Sequence, residues 1–175
     1  RKYLQKRKLK ISLKMNQTQE TFRSALKTGN VDTVREIATQ HPHMLQEPDE
    51  RGFYPLVLAA YYDQVEMVGT LLQLGADPEA RDGSGNTALM GASFKGFVAT
   101  VETLLQHGAA IDAQNNEGAS ALTFAAMFDQ EAVAKLHLEI VATPLLKDQK
   151  GNTPYDQARF KGLRWAKPVF EPFVG

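Results

Sequence analysis

The chain runs to 175 residues, 43% of them hydrophobic and 23% charged, with 20 basic side chains balancing 20 acidic ones; this suits one folded domain in water. Cysteine is absent, which excludes disulfide staples, thiolate nucleophiles and cysteine-bound zinc and fits a reducing, cytoplasmic setting. Apolar stretches are broken by charges such as Glu66 and Glu102, so none approaches the roughly 18 residues of a membrane-spanning helix.

In chain order, the first element is a basic leader. Arg1, Lys2, Lys6, Arg7, Lys8, Lys10 and Lys14 place seven cations and no acid before Met15, leaving 13 basic against 20 acidic residues, a net charge of −7, over 15–175. Such a leader suits nucleic acid or another anionic surface, with Tyr3 as its one stacking ring. No apolar core of a secretion signal follows it, so the glycosylation-like triplet Asn16-Gln17-Thr18 is read as coincidence. The chain opens on Arg, and Met15-Asn16 reads as a start. Residues 1–14 are therefore expected to be non-native or disordered, with the folded domain over 15–175.

Next comes an irregular unit, about 16–48, in which Phe22, Ala25, Val31, Val34, Ile37 and Ala38 keep helical spacing around the turn Thr28-Gly29-Asn30. From there the chain repeats itself. Gly52, Gly85, Gly118 and Gly151 recur every 33 residues, each inside a phrase that opens with Asp or Asn three positions earlier (Asp49, Asp82, Asn115, Asp148). Leu71-Leu72-x-x-Gly75-Ala76 returns 33 residues later as Leu104-Leu105-x-x-Gly108-Ala109. Two landmarks at one period mark a tandem array with units 49–81, 82–114, 115–147 and 148–175. Each unit reads as turn, helix, short turn, helix, its helices too short to stand alone and stabilised by stacking on neighbours. Pro55 suits the first turn of a helix; Ala59 and Ala60 permit close approach; Gly75 suits a left-handed C-terminal cap. In the unit 115–147, His137-Leu138 replaces Leu-Leu and Val141-Ala142 replaces Gly-Ala, so Pro144 is expected to stop that helix. Leu163, Trp165, Val169 and Phe170 offer cover for the last open face.

These residues resemble the ankyrin repeat over roughly 20–162: an Asp-x-x-Gly turn, a Thr-Pro-Leu helix start, an Ala-Ala seam and a second helix ending Leu-Leu-x-x-Gly-Ala. The likeness is to small, stand-alone members such as the compact bacterial ones, and it implies an all-α solenoid of paired antiparallel helices joined by β-turn or hairpin-like loops. Val57, Met90 and Thr123 stand where the family carries His, which predicts less stiff turns. The resemblance also implies a concave groove lined by turn tips and first-helix ends. Carried over residue by residue, the tips include Arg51, Phe53 and Asn86, and the helix ends are Tyr61, Tyr62, Phe94, Lys95, Met127, Phe128, Phe160 and Lys161. Arg81 joins this set because arginine, like tyrosine, anchors interfaces. A row of large side chains at one period signals an interaction surface.

For function, these features predict a monomeric, non-catalytic module that binds a partner protein through the groove, as an inhibitor, immunity or accessory factor of an enzyme; the acidic body suits a basic partner. Nucleic acid or an anionic surface, held by the leader, is the alternative. No phosphate loop, Gly-x-Ser-x-Gly elbow or His-Glu-x-x-His pair is present, and turn acids such as Asp49, Glu50, Asp77 and Glu79 serve backbone hydrogen bonding. His41, His43, His107 and His137 show no metal-ligand spacing. No enzyme, metal or cofactor is expected.

Overall fold

A computed structural model describes residues 2–140 and 142–175. Among these, all regular structure is helical. The long α1 (Lys2–Thr28) and α2 (Val31–Gln40) are followed by a 3-10 turn, Pro42–Gln46, and four helix pairs succeed them. The pairs are α3 (Pro55–Tyr61) with α4 (Val65–Gln73), α5 (Ala88–Lys95) with α6 (Val98–Gln106), α7 (Ala121–Met127) with α8 (Glu131–Glu139), and α9 (Pro154–Phe160) with α10 (Ala166–Val174). First helices α1, α3, α5, α7 and α9 pack on one another in sequence, and so do second helices α2, α4, α6, α8 and α10, giving two layers.

The core lies between these layers and is continuous through the stack. Ala59, Ala60, Ala92, Ala125 and Ala126 are buried at the seam, where a bare methyl lets short helices approach closely. Val68 and Leu71, then Val101 and Leu104, fill the facing side from the second helices. Phe170 and Val169 of α10 close the far end, and the Trp165 indole N–H donates to Asp129 at 2.6 Å.

The turn phrase has a plain physical cause. The side-chain oxygen of Asp49 accepts from the backbone N–H of Arg51 and Phe53 at 2.9 and 3.0 Å. Asp82, Asn115 and Asp148 repeat this pair of bonds in their own turns. Asn115 succeeds because the bonds need an oxygen acceptor, not a charge. Adjacent turns are tied by Asn116 N–H to Ser84 C=O (3.1 Å) and Gln149 N–H to Glu117 C=O (2.9 Å). Gly118 sits in this joint at φ +77°, and a Cβ there would lie 2.9 Å from Gln149 N, against the next turn's backbone. Gly52 has φ +84° but open space around it. Gly118→Ala is therefore expected to cost about 2–4 kcal/mol and Gly52→Ala only about 1–2 kcal/mol of left-handed strain, a difference measurable by urea unfolding.

Three expectations change. First, the leader is not disordered over its described part: the helix runs back without a break to Lys2, because Leu, Lys, Gln and Arg are good helix formers and no Gly or Pro interrupts them. Arg1 lies outside the described residues. Secondly, α8 is not stopped by Pro144. It ends at Glu139, in register with Gln73 and Gln106, and Ala142 N–H bonds His137 C=O at 2.9 Å just as Ala76 bonds Leu71 and Ala109 bonds Leu104. Thr143 N–H then donates to Asp112 at 2.9 Å, which anchors the chain beyond the helix; Val141 lies outside the described residues. Thirdly, the hydrogen bond lost with the missing His is replaced in two of the turns, though not at Val57, where the helix start at Tyr54 has no side-chain cap. Thr123 Oγ1 accepts from Ser120 N–H at 3.1 Å, and Asp156 accepts from Thr153 N–H at 3.0 Å.

Candidate functional site

The residues expected to line a groove come from turn tips and first-helix ends that recur every 33 residues, and α3, α5, α7 and α9, which carry the helix ends, pack on one another in sequence. Arg51, Phe53, Val57, Leu58, Tyr61 and Tyr62 line a single cleft of about 220 Å³. The Arg51 guanidinium lies 5.3 Å from the Phe53 ring centre and 3.2 Å from Asp49, which fixes it at the cleft edge. Tyr61 and Tyr62 meet edge to face with centroids 5.6 Å apart.

Contacts also cross between repeats. Lys95 Nζ lies 4.7 Å over the Tyr61 ring, a cation–π arrangement worth about 0.5–1 kcal/mol at an exposed site. Phe94 and Phe128 meet edge to face at 4.4 Å, and Phe128 stacks on Phe124 at 6.3 Å. Tyr62 is 54% exposed, Phe128 41% and Phe160 70%, while Phe94 and Met127 are half-buried. Lys161 is exposed at the C-terminal end of α9.

Two predicted residues have internal work instead. The Arg81 guanidinium donates to the carbonyls of Gly85 (3.1 Å) and Gln114 (2.7 Å), bridging adjacent turns. The Asn86 side chain pairs with Asp82 (3.1 Å) and with Asn115 (2.8 Å). Both brace the turns, which accounts for their residue types without a partner.

A further row went unread in the sequence: Leu58, Gly91, Phe124 and Gln157, one helical turn before the helix ends and at the same period. Leu58 lines the cleft and Phe124 stacks on Phe128. Gly91 stands inside α5, where glycine costs about 1 kcal/mol relative to alanine. A Cβ there would meet no heavy atom within 4 Å, so packing does not require the glycine.

Also unread was a buried polar pair. His137 Nε2 and Ser93 Oγ lie 2.9 Å apart across the core, and both residues are fully buried. The imidazole Nδ1 has no partner among the described residues. Burial pushes the His137 pKa down to about 4 against a weaker upward pull from Asp112. The signal was the period itself: Ala60 and Leu104 stand at the equivalent positions.

Among the described residues no group of three His, Asp or Glu side chains is arranged to hold a metal ion. No helix there is long and apolar enough to cross a membrane.

Comparison with known proteins agrees with the repeat geometry. A family model described as ankyrin repeats in three copies matches residues 76–148, and a single ankyrin repeat matches 51–83. Over 68 residues, 39% of this chain and 26% of the relative, the chain is 37% identical to the human DNA-binding protein RFXANK. It is 40% identical over 73 residues, 41% of this chain and 8% of the relative, to the ankyrin repeat and SAM domain-containing protein 6 of Rattus norvegicus. The Mus musculus form is 38% identical over the same length. The chain thus spans about a quarter or less of these mammalian proteins, which lend no support to a bacterial likeness. The 33-residue period, the Asp/Asn-braced turns and the two matches, which together run from 51 to 148, place this chain in the ankyrin repeat family.

Proposed function

We propose that this chain is a non-catalytic interaction module whose groove, formed by the first-helix ends and turn tips, grips a partner protein. The observation that carries the reading is the row of large side chains left open to solvent along that face, Tyr61, Tyr62, Phe128 and Phe160. Exposed aromatics cost solubility and serve no core, and they are the residue types that anchor interfaces. A role as inhibitor, immunity or accessory factor of an enzyme is the narrower form. The test is recovery of partners from the native cell with wild type and with Tyr62→Ala/Phe94→Ala/Phe128→Ala. Loss of a partner from the variant supports the groove, and equal recovery rejects it.

A second reading rests on the leader, where Lys2, Lys6, Arg7, Lys8, Lys10 and Lys14 are all exposed on α1. One similar protein is a human DNA-binding protein by name, and a cationic helix attracts phosphates. If three phosphates were neutralised, affinity for duplex DNA would fall about 40-fold between 50 and 200 mM salt. Removing residues 1–14 would abolish that binding; equal DNA retention by both forms rejects this reading.

A further inference from the structure

Resting on the groove reading above, we infer that the cleft between the Asp49–Phe53 turn and the end of α3 is a socket for one uncharged aromatic side chain of the partner protein. The cleft is a product of this repeat's own side chains. The turn contributes the ring of Phe53, at a position that the later turns fill with the smaller Asn86, Ala119 and Asn152. The helix end contributes Tyr61 and Tyr62, which hold each other edge to face at 5.6 Å, and Lys95 of the next repeat steadies the Tyr61 ring at 4.7 Å. Val57, only 7% exposed, lines the cleft from the buried side, and a valine at this position keeps the base apolar where the family carries His.

Size and charge choose the occupant. The cleft's volume of about 220 Å³ falls below the roughly 300–1,000 Å³ of sites that enclose drug-sized molecules. A cavity of about 150 Å³ lined by Leu, Ile and Phe takes up benzene, so the space matches one ring carried on a peptide chain. Phe53, Tyr61 and Tyr62 make half of the six lining side chains aromatic, and rings gain from meeting rings edge to face or offset. Arg51 is the one charged liner, and its guanidinium is already held by Asp49 at 3.2 Å. Around the cleft, Glu50 lies 3.9 Å from Arg23, while Lys95, over Tyr61, and the exposed Asp63, next to Tyr62, put one charge of each sign at the helix end. An ionised side chain seated inside would lose hydration without an uncommitted counter-ion, whereas a neutral ring loses nothing of the kind. Anchors of this type, a ring in a preformed pocket, carry much of the energy of protein interfaces.

The probe is a phage library of random dodecapeptides selected on the full chain, with three variants for comparison. Leu58→Trp fills the cleft from a half-buried position, Tyr61→Ala takes away an exposed lining ring, and Phe94→Ala/Phe128→Ala leaves the lining intact. An unchanged far-ultraviolet helix signal shows that each variant is folded. Enriched sequences are expected to share one Phe, Tyr or Trp whose replacement by Ala weakens binding at least tenfold. They should bind Leu58→Trp and Tyr61→Ala at least tenfold more weakly than wild type. A charged or aliphatic anchor in place of the ring, or no enrichment, overturns the inference. Peptides lost to Phe94→Ala/Phe128→Ala but bound equally by Leu58→Trp and Tyr61→Ala overturn the socket and leave the groove standing. Peptides that bind all three variants as well as wild type overturn the groove reading with it.

Discussion

Lowering the pH from 7 to 5 is expected to destabilise this protein by about 2 kcal/mol through His137 alone. The imidazole is fully buried, and its pKa falls from 6.5 to about 4 because burial opposes its charged form. The unfolded chain therefore takes up the proton first. Stability is retained above about pH 6.5, declines as the pH drops toward 4, and is flat below that. Ser93 satisfies one ring nitrogen, but either tautomer leaves Nδ1 unpaired, and an imidazolium would bring a second donor with no acceptor. The carboxylate of Asp156, held down by hydrogen bonds from the backbone and side chain of Thr153, loses its contribution only as the pH falls below its ordinary 3.8. The interval from 6.5 to 5 thus isolates the histidine. Ser93→Ala/His137→Leu installs the residue types that Ala60 and Leu104 supply at the equivalent positions one repeat earlier and should remove this slope. For a chain of this size the wild type should lose about 4–8 °C of melting temperature between pH 7 and 5. An unchanged slope in the double variant refutes the assignment.

Replacing Tyr62, Phe94 and Phe128 together by alanine should weaken partner binding at least 100-fold, or about 3 kcal/mol. On the proposed groove reading these side chains serve a partner more than the fold. Tyr62 and Phe128 are 54% and 41% exposed, and the internal losses are three aromatic pairs, Tyr61 with Tyr62, Phe94 with Phe128 and Phe124 with Phe128, each worth about 0.5–1.5 kcal/mol. Buried at an interface centre, each aromatic is worth about 2 kcal/mol or more, though not additively. The expected result is a folded variant, shown by an unchanged far-ultraviolet helix signal, with affinity lost. A variant that keeps its affinity contradicts the groove.

Much of the architecture was legible because each landmark answers a local chemical need. The glycines mark turns whose geometry an Asp or Asn side chain closes, and Gly75 and Gly108 mark helix ends. Where the need was met by other means, the reading failed. The α8 helix ends in register without a glycine because Ala142 reaches the His137 carbonyl and Thr143 is tied to Asp112 in the neighbouring repeat. The leader looked separable by charge, yet charge does not break a helix. Among the candidate groove residues, Tyr61, Tyr62, Phe94 and Phe128 were legible as candidates because period alone puts them in rows. Arg81 and Asn86 looked equally available, and only their hydrogen bonds to the next turn reveal an internal role. The Ser93–His137 pair joins the first helix of one repeat to the second helix of the next, 44 residues on, and is visible only once the two layers are set against each other.

Site-specific photocrosslinking tests the central claim most directly. Benzoylphenylalanine would be placed at Tyr62, Phe94 or Phe128 on the groove side, or at Glu102 or Lys135, exposed on the second helices α6 and α8. After irradiation in the native cell, one partner band is predicted from the three groove positions and none from the other two. Capture from Glu102 or Lys135 with silence along the groove would contradict the account.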